Sequence, residues 1–270
     1  MSSESSIATA SQERALQAES AHGPSKVPGG RDLLKRRGQL VDLTRPVYEE
    51  MPMWFGHQKT YISVNQDHEE FKKFWGSNIG VYARHLATSE HCDTHTNAII
   101  EYDPDGPALD ETPRELYYGS AVSLDLSEVE FCDPDPAGQG YATPEVIKRA
   151  EEKLGKAGQE IRAGDIVLGW FDYGDRHFPS REFVTQCSGY SFDGVEYLAS
   201  RGVVNVGTDN LLNDECSAHM ACKAFGLVNT ERLTNLGQLV GKRFDFFGLP
   251  VSITGGTGSP IRAVAWFSEG

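Results

Sequence analysis

From about residue 39 onward, apolar and polar positions alternate in two periods, and the chain reads as strands and helices in turn. Five short runs, several rich in β-branched residues, have the length of buried strands: Leu40-Val41-Asp42-Leu43, Ala121-Val122-Ser123-Leu124, Ile166-Val167-Leu168, Val203-Val204-Asn205-Val206 and Ile261-Arg262-Ala263-Val264. Between them the period lengthens. Val146, Ile147, Ala150 and Leu154 form an apolar stripe behind Thr143, a candidate helix cap, and Pro144, which suits a first helical position; Gly155 predicts the stop. Ser191 predicts the cap of a second helix, which carries Val195 and Leu198 and ends at Gly202. A third helix is expected over 217–225, with His219 on it. This alternation predicts the α/β class, as a single domain. Strand order is not legible, and no internal repeat is present.

Composition adds boundaries. Residues 1–38 are rich in Ser, Ala, Glu and Gly and read as a solvated tail, leaving 39–270 as the folded domain. The tail has no apolar core, so it does not read as a secretory signal, and no stretch approaches the apolar length of a spanning helix. The five cysteines (Cys92, Cys132, Cys187, Cys216 and Cys222) are odd in number and lack C-x-x-C spacing, which suits a reducing, cytoplasmic setting. Lys+Arg number 25 against Asp+Glu 39, a formal net charge of −14. That balance argues against nucleic acid and anionic membranes as partners.

Candidate chemistry concentrates at His91-Cys92-Asp93-Thr94-His95-Thr96-Asn97. Imidazoles and carboxylates are the usual nitrogen and oxygen ligands of divalent metals. In an extended chain positions 91, 93, 95 and 97 share one face, and a curved or bulged strand end suits them best, because residues four apart on a straight strand lie roughly 13 Å apart. A polar loop whose histidines bond to the backbone is the competing reading. Cys92, at an even position, is expected to pack in the interior. His57, His68, His85 and His177 have no motif around them and are expected at the surface or in packing. Phe71, Phe74, Trp75 and Tyr82 are expected in core packing, with a substrate wall as the alternative.

Segments across almost all of 40–267 resemble the metal-dependent cyclase/hydrolase family that includes bacterial kynurenine formamidase and isatin hydrolase. The matching pieces are Asp42-Leu43-Thr44 with Met51-Pro52-Met53-Trp54, the signature His-x-Gly-Thr-His-x-Asp-x-Pro-x-His over His91 to Glu101, Ala163–Leu168, Leu198–Asp209, His219 with Glu231 and Leu233–Leu236, and Gly258–Ala265. The resemblance implies a swivelling β/β/α fold with a mixed sheet and flanking helices, a small-molecule substrate, a homodimer or homotetramer, and one divalent ion, Mn2+ or Zn2+, with a second possible.

Three signature positions depart from the family. Its glycine is Asp93 here, its metal-binding aspartate is Asn97, and its proton-handling histidine is Glu101. The expected ligands are therefore His91, Asp93, His95, His219 and Glu231, with Asp93 restoring the charge lost at Asn97. Asn97 becomes a weak ligand or a neighbour of the ligands. Asp93 as the cap of a turn is the alternative. Glu101 is expected to act as a general base, since a nearby cation lowers a carboxylate's pKa; otherwise it begins a solvated acidic turn. Asp209 is expected to orient a ligand histidine or to cap the following segment, and Trp54 to wall the substrate site. The resemblance implies a hydrolase that cleaves an amide, imide or lactone bond of a cyclic or aromatic molecule through a metal-activated water. A ring-closing or dehydrating cyclase, and a non-catalytic metal- or ligand-binding descendant, are the alternatives. Kynurenine formamidase activity itself is disfavoured, because two signature side chains with direct chemical roles are replaced.

Overall fold

The computed structural model describes residues 38–129, 140–185, 188–212 and 217–268. Residues 1–37 of the expected tail, along with Cys132, Cys187 and Cys216, lie outside these residues, whereas Gly38, its last expected residue, opens the first strand. In chain order the elements begin with β1 (Gly38–Asp42), β2 (Tyr61–Gln66), α1 (His68–Trp75), β3 (Ala83–Ala87) and β4 (His95–Asn97). A 3-10 turn (Ile99–Glu101) follows, then β5 (Tyr118–Asp125), β6 (Tyr141–Ala142), α2 (Pro144–Lys156) and β7 (Ile166–Trp170). Next come α3 (Tyr173–His177), α4 (Glu182–Thr185), β8 (Gly189–Tyr190), α5 (Phe192–Ser200) and β9 (Asn205–Thr208). The chain closes with α6 (Ser217–Phe225), β10 (Val228–Glu231), β11 (Arg243–Phe247), β12 (Gly258–Pro260) and β13 (Val264–Ser268).

Nine strands form one mixed sheet in the order β1-β13-β11-β5-β7-β9-β10-β4-β12. The four central strands β5, β7, β9 and β10 run parallel. Parallel neighbours cannot be joined by a tight turn, so each pair needs a crossover, and α2, α5 and α6 lie on those crossovers. Side chains on these strands alternate between two cores. Val122, Leu124, Val167 and Val206 face Ile147, Ala150 and Leu154 of α2, Val195 and Leu198 of α5, and Cys222 of α6. Ala121, Ile166 and Leu168 face the other way, onto Phe244, Phe246, Leu233, Leu236 and Ala263. Each buried Leu or Ile contributes about 1.5–3 kcal/mol. The α/β class with a mixed sheet and flanking helices is as the sequence predicted.

Element ends differ from the pattern in places. The hydroxyl of Ser191 accepts the Gly194 N–H, and α5 is followed by left-handed Gly202, both as expected. Thr143 takes the extended cap conformation without a side-chain hydrogen bond. Gly155 does not stop α2, because nothing requires a positive φ there; the left-handed turn comes at Gly158 (φ 79°). Val203 and Val204 precede β9. Ile261-Arg262-Ala263 joins β12 to β13 instead of forming a strand: the Ile261 N–H goes to the Thr94 carbonyl, whereas the Ala263 carbonyl accepts from Leu43 N–H.

Tyr61–Ala87 gathers into a compact unit of its own, and Gly38–Thr60 with Thr88–Gly270 into another. In the former, β2 pairs antiparallel with β3, and Asp67 caps α1 through the Glu69 and Glu70 N–H groups. No residue of α1 is buried; Phe74, Trp75 and Tyr82 are exposed. The expected core packing of these rings is therefore not found, since one hairpin and two helical turns offer too little surface to cover them. No helix among the described residues is long and apolar enough to cross a membrane.

Candidate active site

Strand register assembles the site. β4 lies between β10 and β12, with His95 opposite Glu231 and Asn97 opposite Asn229 on one side, and Pro260 and Gly258 opposite the same two residues on the other. The two-residue period puts His95 and Asn97 on one face of β4. His219 arrives from α6, its Nε2 3.0 Å from Glu231 Oε1, and Asn229 Nδ2 donates to that oxygen at 3.0 Å. Burial alone would raise the Glu231 pKa, but the hydrogen bond from His219 and the charges of His219 and Arg232 hold it well below the usual carboxylate range, so the carboxylate is ionised.

His95 Nδ1 lies 2.6 Å from the Asp93 carbonyl oxygen. A carbonyl only accepts, so Nδ1 carries the proton and Nε2 presents a lone pair, 3.8 Å from Glu231 Oε2. Burial pushes the His95 pKa down to about 3, which keeps the ring neutral. His91 Nδ1 stands 3.0 Å from Asn97 Oδ1 and 3.4 Å from Glu101 Oε1. These groups line a cavity of about 120 Å³, together with Trp54. Seven sequence-predicted residues thus meet there: Trp54, His91, His95, Asn97, Glu101, His219 and Glu231.

Two predicted residues do not line it. Asp93 adopts φ 46°, and this left-handed turn aims its backbone carbonyl at His95; its carboxylate is buried with no hydrogen-bond partner among the described residues. Burial raises the Asp93 pKa to about 6, against the pull of Arg232 and Arg45. The carboxylate expected to replace the signature aspartate is therefore not at the cavity, where Asn97 keeps that place. The reason is parity: a left-handed residue breaks the extended alternation, and β4 begins only at His95. Among the described residues, Asp209 shows no hydrogen bond to a histidine. Its two oxygens accept from the Phe171 and Gly174 N–H groups at 3.0 and 3.3 Å, tying β7 to α3, and burial raises its pKa to about 7.

Three lining residues were not foreseen: His57, Leu211 and Arg232. His57 had been assigned to surface or packing, yet its ring lies 5.2 Å from that of His91. Its place in Met51-Pro52-Met53-Trp54-Phe55-Gly56-His57, three residues after Trp54, was the available signal. Cys92 is buried, as expected.

The donors suit a divalent cation in kind and charge: neutral imidazole, ionised carboxylate and amide oxygen. His95 Nε2 and Glu231 Oε2 face each other across 3.8 Å. That is a span two ligands with legs of about 2.0–2.2 Å can bridge. Among the described residues, no three His, Cys, Asp or Glu side chains stand close enough together to hold a metal ion without moving.

Fold and site together define a class: an α/β protein with a His/Glu cluster built on paired strands of a mixed sheet. The Cyclase family model, described as "Putative cyclase", matches residues 41–215, and the chain belongs to that family. Kynurenine formamidase of Salinibacter ruber (strain DSM 13855 / M31) is 27% identical over 231 residues, covering 83% of this chain and 96% of the relative. Among solved structures, isatin hydrolase A from Ralstonia solanacearum superposes with a TM-score of 0.72 at 22% identity, over 91% of this chain and 98% of that one. A predicted metal-dependent hydrolase from Bacillus stearothermophilus gives a TM-score of 0.62 at 20% identity, over 85% and 98%. These structural matches show a shared fold. His219 and Glu231 lie beyond the family-model match and join the site through α6 and β10.

Proposed function

We propose that this chain is a metal-dependent hydrolase that cleaves the C–N bond of an amide or imide, or the C–O bond of a lactone, in a small cyclic or aromatic molecule. The observation that supports it most is the meeting of His95, His219 and Glu231, from three separate elements, on one cavity with His91, Asn97 and Glu101. The names of the relatives, kynurenine formamidase, isatin hydrolase and metal-dependent hydrolase, agree with it. His95, His219 and Glu231 are the residues that would hold a zinc or manganese ion, with His91 and Asn97 beside them. Such an ion would polarise the scissile carbonyl and lower the pKa of a water molecule.

The remaining residues have definable tasks. Trp54 and Leu211 give the cavity an apolar wall against which a flat ring can lie. Burial raises the Glu101 pKa to about 8, with His219 pulling it down and Glu231 pushing it up. Its Oε1 can therefore hold a proton near neutral pH and deliver it to a leaving nitrogen. The base role expected from the sequence requires a nearby positive charge to bring that pKa down; one carboxyl then serves both proton transfers. Arg232, buried and lining the same cavity, adds a fixed positive charge that would favour negative charge developing on a bound carbonyl oxygen.

The test is a panel of N-formyl aryl amines, cyclic imides and lactones, assayed before and after chelator treatment and reloading with zinc or manganese. Turnover should require the metal. His95→Ala should lose both metal retention and activity; full activity in that variant would refute the assignment.

A further inference from the structure

We propose that Glu90 and Thr257 form a positioning relay that fixes the ring proton of His91 on Nε2 and so turns the Nδ1 lone pair towards the cavity. Thr257 lies just before β12, far from His91 in sequence, and Glu90 is the residue before His91. The argument is a count of protons. Glu90 Oε2 lies 2.8 Å from the backbone N of Thr257 and 2.8 Å from its Oγ1. An ionised carboxylate only accepts, so the single hydroxyl proton of Thr257 goes to Glu90. Thr257 Oγ1 is also 2.8 Å from His91 Nε2, and with its proton committed it can only accept there. Nε2 must then be the donor.

A neutral imidazole has one ring proton, so Nδ1 is left bare. It faces Asn97 Oδ1 at 3.0 Å and Glu101 Oε1 at 3.4 Å. Asn97 Oδ1 only accepts, so without a cation its amide must turn Nδ2 towards the bare Nδ1; with Oδ1 in place and Glu101 ionised, three lone-pair atoms converge, an arrangement that a cation satisfies. His95 is held in the opposite tautomer by the Asp93 carbonyl, so the two imidazoles present different ring nitrogens to one cavity. The space for the ring is also built in. A Cβ at position 258 would come within 2.7 Å of His91 Cε1 and 2.9 Å of Nδ1, so Gly258 is what admits the ring in this orientation. Hydroxyl and carboxylate groups behind a ligand imidazole commonly set its tautomer and basicity. Nothing in the sequence pattern pointed to Glu90 or Thr257 as parts of the site.

The functional consequence, tighter metal binding, rests on the hydrolase reading; the tautomer does not. The test is nitrogen NMR of the chelator-treated, 15N-histidine-labelled chain at neutral pH, with His91 assigned by its loss in His91→Gln. The His91 signals should show a protonated Nε2 and a bare Nδ1. In Thr257→Val that preference should be lost, and zinc affinity, measured against a chromogenic chelator, should fall roughly ten- to hundredfold. Thr257→Ser should keep both. A proton on Nδ1, or on both nitrogens, in the unaltered chain would overturn the relay without any variant. So would a Thr257→Val protein with unchanged tautomer and affinity. The stated tautomer in a chain that takes up no zinc would uphold the relay and overturn the metal reading.

Discussion

At φ 46° Asp93 occupies the left-handed region, which costs a residue with a Cβ about 1–2 kcal/mol. It also buries a carboxylate that no hydrogen bond from the described residues satisfies. Both features are unfavourable, and what the site takes from the residue is its carbonyl oxygen. Asp93→Gly should therefore raise the thermal midpoint by a few degrees and leave zinc affinity within about twofold, since one kcal/mol moves the midpoint of a chain this size by roughly 2–4 °C. A large loss of zinc affinity would show that the carboxylate swings into the cavity. Asn97→Asp tests the converse. It restores a negative charge on the lining itself and should tighten zinc binding on the order of tenfold, equivalent to about 1.4 kcal/mol. His91, His95 and Asn97 were legible because the residue types name their own chemistry. The role of Asp93 was not, because spacing arguments assume one backbone conformation across the heptapeptide. The family's glycine at that position was the clue that the assumption fails.

Caps and crossovers were the most legible elements because their causes are local. Ser191 illustrates this: its hydroxyl satisfies the Gly194 N–H at the start of α5, and Ser191→Ala should cost about 1 kcal/mol, measurable by denaturant unfolding. Strand order was hidden, since it depends on contacts between residues far apart in sequence. β4 illustrates the consequence. Its neighbours are β10 and β12, each more than a hundred residues later, and this pairing places Glu231 opposite His95 and Gly258 opposite Asn97. Gly258→Ala should accordingly damage function more than folding. The added methyl meets the edge of the His91 ring, so zinc affinity should fall at least tenfold, about 1.4 kcal/mol. Calorimetry should show a smaller loss of stability, because β12 lies at the sheet edge, where the strand can shift. Equal wild-type affinity would mean that the ring position is not set by this strand.

For the molecule as a whole, acidic groups dominate, with a net charge of −14, and some of them lie where water cannot reach. Asp209 is the one whose titration bears on the whole fold, since it ties the end of β7 to α3 beneath the central sheet. Burial raises its pKa from the ordinary 3.8 to about 7, with the Phe171 and Gly174 N–H groups and Arg45 opposing the rise and Asp175 adding to it. The sign follows from proton counting. Between about pH 4 and 7 the folded chain holds this proton and the unfolded chain has released it, so stability falls as pH rises through that window. The cost is absent below the unfolded pKa and complete above the folded one. Asp209→Asn has no proton to exchange and should remove this slope, although its amide cannot accept from both N–H groups and the variant should be less stable at acidic pH. The measurement is the thermal midpoint of both proteins at pH 5 and pH 8. The drop between the two pH values should be smaller in Asp209→Asn by several degrees, given the midpoint sensitivity of a chain this size. Parallel curves would place the titrating group elsewhere.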